Sequence, residues 1–143
     1  MDFYITYFYN VRFLPPNALP LSTAMYDPKW FTPHVDKRGV INGIKYPPFV
    51  PCKECQTLCR GREGCTSNPS NCAFLSTYRK QIFSLDFPKV KKHLERIAET
   101  TKQPNPCVVL LVYEKPDNPC SERTVLQEWF KANGSELKEY IKR

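Results

Sequence analysis

Five cysteines, Cys52, Cys55, Cys59, Cys65 and Cys72, fall in one short segment at the spacing C-x2-C-x3-C-x5-C-x6-C. The residues between them are almost entirely polar or glycine, so apolar packing does not account for the density. A C-x2-C turn presents two thiolates to one ion, and two of the remaining three would complete a tetrahedral site that orders a loop with almost no apolar residues. Zinc is the expected ion and an iron-sulfur cluster the alternative, because both accept four thiolates. Such a shell has no open position for water or substrate, so the expected role is structural. Cys52 and Cys55 supply the first pair, Cys59, Cys65 and Cys72 compete for the other two places, and His34 is a distant reserve ligand. Arg60, Arg62 and Lys53 add positive charge to this knuckle.

A second group is Tyr113-Glu114, the stiff loop Lys115 to Pro119, and Cys120-Ser121-Glu122-Arg123. Ser121 is a helix cap, and a helix N-terminus offers unpaired N–H groups and partial positive charge that lower a nearby thiol's pKa or hold an anion. The chemistry this permits is a Cys120 thiolate nucleophile with Glu114 as acid, base or orienting group, and Arg123 clamping a phosphate or carboxylate. Glu122 in the first turn suits the helix dipole but repels an anion. No histidine accompanies these residues locally. The competing reading is a capped helix with Glu114 in a surface pair.

These groups need elements to position them. Residues 3 to 9 and 19 to 24 carry the β-branched and aromatic enrichment of buried strands, separated by Pro15 and Pro16. Tyr26 to Val50 reads as a long ordered loop with one short strand near Val40 to Ile44. Helices are expected over Ala73 to Leu85, after the Asp86 cap with Pro88 just inside, and from Ser121 to about Asn133. Cys107 to Tyr113 is an unbroken apolar run, the pattern of a central strand covered on both faces. Glu136 to Lys142 is read as a short edge strand. This order predicts an α/β fold with a mostly parallel sheet flanked by helices, where ligands sit beyond the carboxyl ends of strands.

A chain of 143 residues with 41% hydrophobic content suits one domain, 1 to 143, with the cysteine segment 52 to 72 inserted in it. Lys+Arg 21 against Asp+Glu 14 gives a charge of +7, which favours anionic partners. Phe13 to Tyr26 is the longest uncharged stretch, but it holds three prolines and is short of the roughly 20 residues of a spanning helix, so no membrane partner is expected. Met1 to Tyr9 lacks a basic leader, which points to a reducing cytoplasm where cysteines stay thiols or bind metal. Cys107 and Trp129 read as core residues, His93 as solvent-facing, and Trp30 as a core anchor or a base-stacking platform.

Two stretches carry a resemblance. The first runs from Tyr4-Ile5-Thr6-Tyr7-Phe8 through Asn10, Arg12 and Leu14 to Tyr26-Asp27-Pro28-Lys29-Trp30-Phe31; the second is Val108 to Val112 followed by Tyr113-Glu114-Lys115-Pro116 and Cys120. They resemble the family catalogued as domain of unknown function 488, common in bacteria and their phages. The resemblance implies a Rossmann-like α/β fold, with polar residues from the first strand facing the Glu and Cys after the late strand. It assigns Glu114 and Cys120 to the site and adds Asn10, Arg12 and Arg123 as anion or ligand contacts. In that family His and Arg directly follow the Cys, whereas here Ser121 and Glu122 precede Arg123.

Three functions are therefore expected, in this order. The first is a metal-stabilised protein binding a nucleotide or nucleic acid through Arg12, Arg123, Arg60 and Arg62, with Asn10 and Ser121 as further ligand contacts. The second is a small phage-type protein that binds and blocks a host component, in the host cytoplasm. The third is an enzyme acting on a nucleotide or nucleobase with Cys120 and Glu114.

Overall fold

The computed structural model describes residues 1–58, 72–118 and 120–141. Strands β1 (Phe3–Tyr7), β2 (Ala18–Ser22), β5 (Ile44–Lys45), β6 (Cys107–Val112) and β7 (Leu137–Glu139) form a five-stranded sheet in the order β5-β2-β6-β1-β7, every pairing parallel. A separate antiparallel pair, β3 (His34–Val35) and β4 (Ile41–Asn42), lies within the long segment after β2. The helices are α1 (Lys53–Leu58), α2 (Ala73–Phe83), α3 (Phe87–Glu99) and α4 (Glu122–Ala132). No helix among the described residues is long and apolar enough to cross a membrane.

The apolar run at 107 to 112 is the middle strand, as its composition requires: β6 is flanked by β1 and β2 and all but its first residue are buried. Alternation along the strands splits the core. Phe3, Ile5, Leu19, Leu21, Val108 and Leu110 face the cluster that holds Leu94, Val125, Trp129 and Phe130, so the helices cover this side. Tyr4, Ala18, Val109 and Leu111 face Phe8, Val11, Leu14 and Phe31 on the other. Right-handed crossovers explain the division: β1 to β2 moves one way across β6, β6 to β7 moves the opposite way across β1, and equal handedness puts the two connections on opposite faces. A crevice therefore opens at the carboxyl end of β6.

The caps are those the sequence announces. Asp86 accepts from the Lys89 amide with Pro88 in the first turn of α3, and the Ser121 hydroxyl accepts from the Arg123 amide at the start of α4. Gly134 ends α4's exit with φ of 74°. Three expectations need correction. The first strand stops at Tyr7, and Phe8–Phe13 winds into a 3-10 helix that buries Phe8 and Val11. The second strand stops at Ser22. Cys55 is fully buried in the main core, so its position is also one of packing. Most of the cysteine knuckle, residues 59 to 71 with Cys59, Arg60, Arg62 and Cys65, lies outside the described residues.

Candidate functional site

The crevice is a cleft of about 330 Å³ lined by residues that include Ala24 and Tyr26 after β2, Tyr113 and Glu114 after β6, Phe74 and Cys72 at the start of α2, and Cys120 and Glu122 at the start of α4. Its walls are fixed from below. Thr23 donates through its hydroxyl to the Leu111 carbonyl at 2.8 Å, strapping the β2 exit to the central strand. Ser22 donates to Asp27, whose carboxylate lies 3.7 Å from the Lys45 ammonium, and Lys45 also donates to the Met25 carbonyl at 2.8 Å. The Tyr113 hydroxyl donates to the Tyr26 carbonyl, closing the aromatic side of the mouth.

Two carboxyl groups meet in this cleft. Burial, reinforced by the charge of Glu114 and a side-chain hydrogen bond with it, pushes Glu122 from 4.5 up to about 8, so the pair holds a proton at neutral pH. Glu114 Oε1 is buried, and no N–H or hydroxyl donor among the described residues reaches it. A buried unpaired carboxylate oxygen is costly and marks where a proton donor would be held. Cys120 lines the same cleft, its amide donating to Asn118 Oδ1 at 2.9 Å.

The other residues singled out in the sequence occupy varied positions. Arg123 is 3% exposed; its Nη1 donates to the Glu114 carbonyl at 2.7 Å and its Nε lies 2.6 Å from Glu139 Oε1. Its guanidinium thus braces the cleft from behind. Ser121 is buried under its own cap. Asn10 donates to the buried Thr6 hydroxyl at 2.8 Å, and Arg12 lies over the Tyr9 ring at 3.9 Å, lining a different pocket. The four expected phosphate contacts therefore do not converge on one point. His93 is exposed, as read, with Nδ1 3.1 Å from the Tyr46 hydroxyl.

Cys52 Sγ and Cys55 Sγ lie 3.2 Å apart, a little closer than the roughly 3.8 Å that ~2.3 Å bonds to one tetrahedral zinc impose. Hydrogen bonds from Cys55 hold the Cys52 thiol below its ordinary pKa, while burial and then the Cys52 thiol push Cys55 up to about 12. Among the described residues no group of three or more metal-ligating side chains is assembled. Cys72 lines the cleft with Cys120. The sequence carried no signal for that placement, nor for the Glu114 and Glu122 contact beyond their charges. Comparison with protein-family models, curated proteins and solved structures returns no match.

Proposed function

We propose that the protein is an enzyme acting on a neutral nucleobase or nucleoside in the cleft at the carboxyl end of β6. The observation that carries this reading is the buried Glu114 Oε1, which no N–H or hydroxyl among the described residues reaches, on the same wall system as the Cys120 thiol and the Glu122 carboxyl. A flat heterocycle suits a cleft whose sides include Phe74, Tyr26 and Tyr113. Two adjacent carboxyl groups disfavour a phosphate here and favour a substrate with ring N–H or amino donors. The reaction is addition of the Cys120 sulfur to an electrophilic ring carbon: Glu114 takes the thiol proton, the carbon–sulfur bond forms as the ring C=N π bond opens, and Glu122 gives its proton to the ring nitrogen. The resemblance to the domain of unknown function 488 family supports the choice of Glu114 and Cys120. A structural zinc or iron-sulfur site founded on Cys52 and Cys55 remains part of the proposal, as scaffold rather than reactant.

The test is a panel of free bases and nucleosides followed by calorimetry and by absorbance and intact-mass measurement of the adduct. Wild type is expected to bind a member of the panel and form the adduct. Cys120→Ser is expected to bind it without forming the adduct, and Glu114→Gln to lose both. An adduct that survives in both variants would overturn the assignment.

A further inference from the structure

On the opposite side of the sheet from the helices, Asn42 at the end of β4 is 4% exposed and lines a second pocket of about 300 Å³. Its amide nitrogen donates to the Val40 carbonyl at 3.2 Å, which fixes which way the amide points, since the reverse assignment would set oxygen against oxygen. Asn42 Oδ1 is then buried with no donor among the described residues. An orphaned acceptor in a pocket wall calls for a donor from a ligand.

The rest of the pocket says what that ligand carries. Trp30 and Tyr9, about half exposed, supply aromatic surface. Arg12 lies on Tyr9 and has no ion pair among the described residues. The only carboxylate in the wall among the described residues, Asp36, is neutralised by Arg38 at 2.6 Å and also accepts from the Arg38 and Val40 amides. His34 Nδ1 faces the Thr32 carbonyl at 2.7 Å and so carries a proton, which leaves Nε2 for a ligand. The pocket exists because Gly43, at φ of 87°, lets the 32 to 33 backbone pass where a Cβ would stand 2.3 Å from the Pro33 nitrogen.

We infer that this pocket is a separate binding site for a nucleotide whose base bears an exocyclic amine: the amine donates to Asn42 Oδ1, the ring packs against Trp30, and the phosphate meets Arg12, which lies on Tyr9. The +7 charge of the chain favours such an anion. Phe8 touches both Trp30 and Tyr113, with ring centroids 6.3 and 4.9 Å apart, so one aromatic ring divides this site from the cleft. The site stands independently of the chemistry proposed for Cys120.

Tryptophan fluorescence reads it directly, because Trp129 is buried in the core and Trp30 is half exposed. Adenosine and cytidine monophosphates are expected to quench saturably. Uridine monophosphate, which lacks the amine, should bind about tenfold more weakly or worse, and inorganic phosphate should not quench. Arg12→Gln, a surface change, is expected to weaken the nucleotides and abolish discrimination against the free nucleosides. Oligodeoxyadenylate binding more tightly than the mononucleotide would identify a single strand as the source of the ligand, and equal binding would identify free nucleotide; either supports the site. The quench should persist in Cys120→Ser, which separates this site's failure from the cleft's. Absence of saturable quenching by any nucleotide, or equal affinity for the adenosine and uridine compounds, overturns the inference.

Discussion

Arg123 Nη1 donates to the backbone carbonyl of Glu114 across 2.7 Å, tying the first turn of α4 to the residue that leaves β6. The same guanidinium reaches Glu139 on edge strand β7 at 2.6 Å, so one buried cation joins the Glu114 backbone at the cleft, its helix and the sheet edge. Removing it leaves Glu139 half buried beside an empty partner position. Arg123→Gln is expected to cost about 3 kcal/mol, as for other buried ion pairs broken on one side, and Arg123→Lys to recover little because a single ammonium nitrogen lacks the planar fork that meets the Glu114 carbonyl and the Glu139 carboxylate from two separate nitrogens. Urea denaturation of the three proteins checks this; equal midpoints would show the brace to be dispensable.

Glu122 makes a prediction about pH. Its folded-state pKa is raised from 4.5 to about 8 by burial and by Glu114, so the folded protein holds a proton that the unfolded chain has released. The stabilisation is fully present below the unfolded value and is lost as pH rises through about 8. Glu139 has the same sign, since its burial outweighs the attraction of Arg123 and raises it. Stability should therefore fall between about pH 5 and 8, and Glu122→Gln should flatten most of that slope. A wild-type melting temperature constant across the window would contradict the buried pair.

How far these sites were legible in the sequence depends on the range of the forces that make them. The apolar run of β6 and the stripes and caps of α3 and α4 are local patterns, and they fold where the residues say. The fate of Phe8 is not local: its pairing with Phe31 and Tyr113 draws it off the strand, although its aromatic neighbours read as strand residues. Cys72 lines the cleft with Cys120 because it stands at the start of α2, a placement set by how α2 packs and not by its neighbours in sequence. The type of Arg123 and its place at a helix start suit an anion clamp. Only the register that puts Glu139 beside Ile5 on β1 reveals what holds it. Asn42 carried no signal at all, since its burial comes from a strand pair of two residues each.

The thiols differ enough to be told apart by alkylation. Cys52, held below its ordinary pKa and partly exposed, should react with iodoacetamide before Cys55 or Cys107, whose burial pushes them up to about 12 and about 11. Metal changes the outcome in a defined way. Protein that carries zinc or iron on Cys52 should be protected until a chelator is added, and cleavage by protease within 52 to 72 should then accelerate. Elemental analysis with an absorbance spectrum separates colourless zinc from a coloured cluster. Metal content unchanged in Cys52→Ser would remove Cys52 from the ligand set.

Gly43 offers the sharpest test of how the second pocket is built. The glycine combines a left-handed backbone with a contact that no side chain fits, because a Cβ there would meet the Thr32 carbonyl carbon at 2.4 Å and the Pro33 nitrogen at 2.3 Å. Both neighbours are backbone, so neither can swing aside as a flexible side chain would. Gly43→Ala must therefore shift the 32 to 35 segment, which carries His34 and pairs with Asn42. The expected cost is at least about 2 kcal/mol, with the displacement confined to the side of the sheet that holds Trp30. Nucleotide quenching should disappear in this variant, while binding in the cleft between β2, β6 and α4, which shares no lining residue with this pocket among the described residues, should persist in whatever fraction stays folded. Loss of both together at a temperature where the variant remains folded would mean that the two sites are one.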